Sequence, residues 1–252
     1  MKYDTRFNSN YCFLDDNPDY FKDYWDNNLC MGSSAWDPDS KSFTLQQYNM
    51  ILWSKRLPNG EYMNLLLGND GELLWKGNRY SSDSIIVSFK YRDYKYMMDK
   101  VMATLPDYKT FFEDYSRKAY TIGGEVIFPK RRMGMNQSRG FNRQIRDRFD
   151  LTLECIRRYY LGLENPLQTV MEHDKEFFDM FGDFKGYVDF FYLQDIVNED
   201  YSDIHFFKEF TEFDGNVFPE SPEEYLAFIN KELEFVEKRN ARIADVFKLE
   251  TR

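Results

Sequence analysis

The stretch Tyr120–Tyr160, YTIGGEVIFPKRRMGMNQSRGFNRQIRDRFDLTLECIRRYY, decides the fold. Val126 to Phe128 reads as a short strand of β-branched and aromatic residues. Pro129 closes it, because proline has no N–H to give to a central ladder. A basic loop punctuated by Gly134 and Gly140 follows, and from Phe141 to Tyr160 the pattern turns helical. Ile145, Phe149, Leu153, Ile156 and Tyr160 fall on one stripe, and Leu151, Cys155 and Tyr159 widen it to about half the circumference. A helix that is apolar over so much of its surface belongs at the centre of a domain. Arg143/Asp147, Arg146/Asp150 and Glu154/Arg158 have the i,i+4 spacing of ion pairs on the other face.

Outward from this stretch the chain reads as one α+β domain: a small, mostly antiparallel sheet packed by the central helix (about 141–160) and by further helices. Residues 1–42 read as an irregular segment pinned to the body by Trp25 and Trp36, and 43–252 as the domain itself. Thr44 to Trp53 is a predicted helix. Tyr62 to Leu67 and Glu72 to Trp75 flank Gly68-Asn69-Asp70-Gly71, a hairpin signal. Ser81-Ser82-Asp83-Ser84 reads as a polar turn before a strand Ile85–Phe89. Tyr94–Leu105 and Tyr108–Tyr115 are helices parted by Pro106. Leu167–Phe181 is helical and ends at Gly182. Tyr187–Val197 is apolar and helical, with β as its alternative, and His205–Phe210 reads as an edge strand. Ser221-Pro222-Glu223-Glu224 starts a helix, with Ser as cap, Pro in the first turn and Glu three residues after the cap. That helix carries Tyr225, Phe228, Ile229, Leu233 and Val236.

With 252 residues, one core can bury most apolar side chains, and an aromatic share of 19% makes that core rich in Phe and Tyr. A charged share of 30% fits a soluble globular protein. No apolar run reaches the roughly 20 residues that span a bilayer, and the N-terminus lacks the apolar core of a signal peptide. Cys12, Cys30 and Cys155 are odd in number and widely spaced, with no Cys/His metal pattern, so no metal site is expected and a reducing cytoplasm is the simplest setting.

The net charge of −10 is unevenly spread: −3 over residues 1–129, +6 over 130–158 and −13 over 159–252. A chain so charged is not expected to bind nucleic acid over its whole surface, though a nucleic acid is not excluded as a local ligand. The basic segment is either a local anion site or is paired with the acidic C-terminal third inside the same fold.

Two arginines carry the anion reading. On a wheel of about 100° per residue, Arg148 falls inside the apolar arc of the 141–160 helix. A buried guanidinium there is either a structural ion pair or a fork aimed at a phosphate or carboxylate. Just before the helix, Asn136-Gln137-Ser138-Arg139-Gly140 offers unpaired N–H groups, the charge of Arg139 and close backbone approach at Gly140. Asn136 or Ser138 serves equally as a plain N-cap, and the loop matches no Walker or dinucleotide pattern. Ser82 is read as the rim of a ligand site or as part of a turn. Lys55 is read as an anion ligand or as solvent-facing. Asp83, Tyr187 and Asp189 are the first acid–base candidates, with a cap or a helix–helix turn as the alternative explanation of Asp189.

SSDSI, YTIGG, the Phe-Pro pair, NQSRGFN, DRFDLTLECIRRYY and FFDMFGDFKGYVDFFYLQD resemble a family of bacterial proteins of unknown function, over about residues 43–240. The resemblance implies a prokaryotic, cytoplasmic protein and assigns no catalytic residue. Two functions of different class follow from the sequence. In one, the chain binds or transforms a nucleotide or another phosphorylated small molecule; nucleotidyl transfer, ADP-ribosyl transfer and RNA cleavage are unranked subtypes. In the other, it is an interaction module whose acidic C-terminal third meets a basic protein partner. Which cofactor, if any, the protein uses and whether it is an enzyme both stay open at this point.

Overall fold

The computed structural model describes residues 7–26, 36–87, 92–213 and 217–250. Its helices are α1 (Tyr20–Asp26), α2 (Pro38–Lys41), α3 (Phe43–Trp53), α4 (Arg92–Thr104), α5 (Tyr108–Ala119), α6 (Met135–Phe141), α7 (Phe149–Tyr160), α8 (Gln168–His173), α9 (Lys175–Asp179), α10 (Phe184–Phe190) and α11 (Pro222–Glu250). The strands β1 (Leu66–Leu67), β2 (Leu73–Trp75), β3 (Asn78–Ser84) and β4 (Glu125–Pro129) form one antiparallel sheet in the order β1-β2-β3-β4. This is the expected α+β arrangement, with the small sheet against helices. Among the described residues no helix is long and apolar enough to cross a membrane.

Several boundaries move for physical reasons. The 141–160 pattern divides into α6, a turn and α7. Arg146 and Asp147 take φ of 53° and 65°, a left-handed conformation that two successive non-glycine residues hold only when their surroundings fix them. Here Arg139 Nη2 donates to Asp147 O and the Tyr94 hydroxyl donates to Arg146 O. The apolar stripe survives the break: Ile145, Phe149, Leu153 and Ile156 are all fully buried. Of the expected i,i+4 pairs, Glu154–Arg158 forms, and Arg157 joins it.

The polar run Ser81–Ser84 belongs to β3 rather than to a turn before it. It pairs with β4 from Ser81↔Phe128 to Ser84↔Glu125. Residues 88–89 of the expected Ile85–Phe89 strand lie outside the described residues. Leu167–Phe181 is two short helices, α8 and α9, meeting at Asp174, and His205–Phe210 forms no strand beyond an isolated Val197↔Ile204 bridge beside it.

α11 is the longest element. Ser221 Oγ accepts from Glu224 N at its start, as the cap pattern predicts. Its buried stripe runs Tyr225, Phe228, Ile229, Glu232, Phe235, Val236, Arg239, Asn240, Ile243, so that three polar side chains enter the core among apolar ones. α11 packs on α4, α5 and the 3-10 turn Ile122–Gly124 that leads into β4. Gly123 allows this approach, since a Cβ there would lie 2.4 Å from Val236 O, and Gly124 lets the same turn pass close to the end of α5, where a Cβ would lie 2.0 Å from Ala119 O. The segment 1–42, expected to be irregular, contributes α1, α2 and a 3-10 turn at Phe13–Asp16 where it is described. Cys12 and Cys155 are buried free thiols; Cys30 lies outside the described residues.

Candidate functional site

Four of the sequence candidates, Ser82, Asp83, Asn136 and Arg139, converge on β3. Alternate residues of a strand face opposite sides, and β3 uses both sides for polar contacts. On one side Ser82 Oγ accepts from Asn49 Nδ2 of α3 at 2.7 Å, and Asn49 Oδ1 accepts from Trp53 Nε1. On the other, Asn136 Nδ2 of α6 donates to Ser81 Oγ and to Ser82 O, each at 3.0 Å. Arg139 Nη1 donates to Asp83 Oδ2 and Ser84 O, each at 2.7 Å, while its Nε reaches Thr152 Oγ1. Asn136 is thus no N-cap; α6 is entered through Gly134. Tyr187, from α10, lies within electrostatic reach of Arg139. Its hydroxyl is fully buried without a hydrogen-bond partner, and burial raises its pKa against the pull of Arg239 and Arg139.

Three further residues of this centre were not singled out in the sequence. Asn49 is the first. Glu125, at the start of β4, is the second: it is fully buried, and neither carboxylate oxygen accepts a hydrogen bond. Burial, then the adjacent Asp39 carboxyl, pushes its pKa well above the usual carboxylate range. Arg239 is the third. Its Nε donates to Phe191 O at 3.0 Å, and its Nη1 to Gly123 O at 2.9 Å and Glu125 O at 2.8 Å. Its Nη2 has no partner. Burial without a paired carboxylate pulls its pKa down to about 9. The guanidinium lies 5.8 Å from the Trp53 ring and feels both Tyr187 and Glu125.

The remaining candidates lie elsewhere. Arg148 is the residue before α7 and is fully buried. Its Nε and Nη2 grip Asp150 at 3.0 and 2.5 Å, while Nη1 and Nη2 donate to Val217 O and Lys208 O. Asp150 also accepts from Phe207 N. Of its two readings, the geometry is that of the structural ion pair, stapling the 207–217 loop to α7. Lys55 and Asp189 line an open groove of about 640 Å³ between the Leu57–Asn59 turn and α10. Lys55 Nζ donates to Phe190 O and sits 3.7 Å from the Tyr192 ring centroid and 4.5 Å from that of Phe190. Asp189 accepts from Tyr201, Gln194 and Lys185, and these bonds outweigh burial to hold its pKa below the ordinary value.

Lys130 and Arg131 of the basic segment, with Lys76, Arg79 and Lys175, line a groove of about 850 Å³ beside α9, and most cations of the segment are paired. Lys130 pairs with Glu72, Arg131 with Asp174, Arg139 with Asp83, Arg148 with Asp150, and Arg157 and Arg158 with Glu154. Of these partners only Asp174 belongs to the acidic C-terminal third, so most of the neutralisation comes from the body of the fold. Among the described residues no group of three or more His, Cys, Asp or Glu side chains is placed to hold a metal.

Comparison with curated proteins and with solved structures gives no match. One family model matches residues 7–243, which takes in most of the N-terminal segment that the resemblance by motif left out; it is described as a family of unknown function (DUF6994).

Proposed function

Because the chain belongs to this family, whose description assigns no chemistry, we propose a function from geometry alone: the polar centre between β3, β4, α10 and α11 binds the oxyanion group of a small ligand, a nucleotide or another phosphorylated molecule. The observation that carries the reading is the pair of fully buried donors without partners, Arg239 Nη2 and the Tyr187 hydroxyl, each within electrostatic reach of the other. A desolvated guanidinium lacking a carboxylate is costly, and an oxyanion is the group that matches its free N–H pair. Arg139 adds positive charge behind Tyr187. Arg239 therefore takes the part that the sequence pattern pointed to at Arg148. Glu125, whose pKa burial raises above the carboxylate range, lies on the face of the sheet opposite Asp83, which is braced by Arg139.

The test is thermal unfolding with sulfate and with a set of nucleoside mono- and diphosphates. The wild-type protein should be stabilised by an amount that grows with the logarithm of ligand concentration above the Kd. Arg239→Met and Tyr187→Phe should lose that response, and Lys55→Ala, in the open groove, should keep it. A response that survives in Arg239→Met and vanishes in Lys55→Ala would move the site to the groove and end this reading.

A further inference from the structure

The groove of about 850 Å³ runs between the tip of the β2/β3 hairpin, the end of β4, and α8 and α9, and it has the size of a small-ligand site. Five lysines and arginines line it, and each already has a carboxylate. Lys76 has Glu61, Arg79 has Asp70 and Glu72, Lys130 has Glu72, Lys175 has Asp179, and Arg131 has Asp174. Carboxylates are in excess. Glu172 accepts from the neutral Gln168 amide, and Glu176 forms no ion pair among the described residues, though both line the groove. Asp174, where α8 meets α9, supplies the open acceptor. Its side chain is fully buried; Oδ1 faces Arg131 Nη2, and Oδ2 accepts no hydrogen bond. A buried carboxylate oxygen without a donor is costly. The cation beside it is the loose member of the pair: the Arg131 side chain is 43% exposed and can swing into water, where Asp174 cannot follow. Trp75, Tyr80 and Phe177 supply apolar surface. The Trp75 ring already carries an ammonium, with Lys76 Nζ 4.8 Å from its centroid.

We propose that this groove is a second binding site, for an organic cation: an amine or guanidinium on an aliphatic stem, free or as the basic side chain of a peptide. The inference is independent of the oxyanion reading above. The cationic head donates to Asp174 Oδ2 and takes over Oδ1 as Arg131 turns out to solvent, and a guanidinium matches the two oxygens as a fork. Glu172 and Glu176, both exposed, hold a negative potential that draws the cation in. The stem lies against the aromatic surface. Arg131 is then a resident competitor for the acceptor. An anion is disfavoured in the same groove, since it would meet two carboxylates without ion pairs and no unpaired lysine or arginine.

Calorimetric titration with agmatine, a free cation, and with a capped Gly-Arg-Gly peptide separates the two sources. The same peptide with citrulline in place of arginine keeps the shape, loses the charge and serves as the control. Wild-type protein should bind at least one of the cations and not the citrulline peptide. Binding of agmatine alone assigns a small free cation, and binding of the arginine peptide alone assigns a basic polypeptide. Arg131→Ala should strengthen binding by about tenfold, the equivalent of one charge-assisted hydrogen bond, because it removes the competitor. A pair that is only structural gives no such gain. Asp174→Asn should abolish binding. Should that variant fail to fold, Glu176→Gln, an exposed change, should weaken binding severalfold. No binding of either cation, equal binding of the citrulline peptide, or an affinity unchanged in both Arg131→Ala and Glu176→Gln overturns the site. The oxyanion reading is decided separately, by the response to sulfate in Arg239→Met.

Discussion

Arg148 and Arg239 are both fully buried, and they are held in opposite ways. Arg148 meets a carboxylate fork and two backbone carbonyls; burial works against its charge, but Asp150 more than offsets it and the pKa ends above the ordinary value. Arg239 meets three carbonyls and no carboxylate, and burial pulls it down to about 9. A buried guanidinium that has its counter-ion is finished as structure. One that has only carbonyls keeps unbalanced charge and a free donor, which are the attributes of a binding group. On the proposed reading, this contrast separates scaffold from site more sharply than burial itself, which is the same for both.

The largest effect that would break this comparison belongs to Arg148. Arg148→Met strands the Asp150 carboxylate in the core and should lower stability by about 3–5 kcal/mol in denaturant unfolding, with the sulfate response intact in the protein that folds. Arg239→Met strands no carboxylate. It leaves three carbonyls short of a donor and should lower stability by a smaller amount, about 1–3 kcal/mol, while losing the sulfate response. Equal losses in the two variants would erase the distinction.

Glu232, on the buried stripe of α11, sharpens it from the acidic side. Both its oxygens are buried without hydrogen bonds, and burial, with Asp150 and Asp147 nearby, raises its pKa well above the carboxylate range. The folded state then holds a proton that the unfolded chain releases near pH 4.3. Its contribution to stability is therefore full below that pH and is lost as pH rises toward the folded value, at up to about 1.4 kcal/mol per pH unit. Glu232→Gln should flatten that part of the stability–pH curve, and an unchanged slope would assign the linkage elsewhere.

Arg242 gives the smallest effect. It lies three residues beyond Arg239 on the same helix and forks the Asp195 carboxylate at 2.8 Å through both Nε and Nη2, half in solvent. Arg242→Ala should change stability by about 0.2–1 kcal/mol, less at high salt.

Much of the architecture was legible in local pattern. The β1/β2 hairpin, α3, α4, α5, β4 and the capped start of α11 each follow from periodicity or from a cap that acts within a few residues. The break at Arg146–Asp147 was not legible, because the apolar stripe continues through it and the turn is fixed by the side chains of Arg139 and Tyr94 from other elements. β3 was misplaced by a few residues because its polar side chains look like a turn until their partners on α3 and α6 are known. Within the site, Ser82, Asp83, Asn136, Arg139 and Tyr187 could be marked as polar or aromatic residues at element edges. Glu125 reads locally as the flank of a short strand; only the packing of α2 and α11 reveals its burial. Arg239 sits in a run of charges, EKRNAR, that reads as a solvated face. The signal was nonetheless present. Extending the stripe from Tyr225 at intervals of three and four lands on Glu232, Arg239 and Asn240, as the same wheel argument had done at Arg148.

The length of α11 and the lateness of Arg239 along it have a consequence for synthesis. The guanidinium that closes the centre is 116 residues beyond Gly123, whose carbonyl it caps. At about 5–20 residues per second, the ribosome takes roughly 6–23 s to traverse that interval. β4 and α6 are synthesised early in that interval, and for the rest of it the carbonyls of Gly123 and Glu125 are without their donor. A nascent chain interrupted anywhere between residues 136 and 239 carries every serine, asparagine and acid of the centre and still lacks the group on which its ligand would rest.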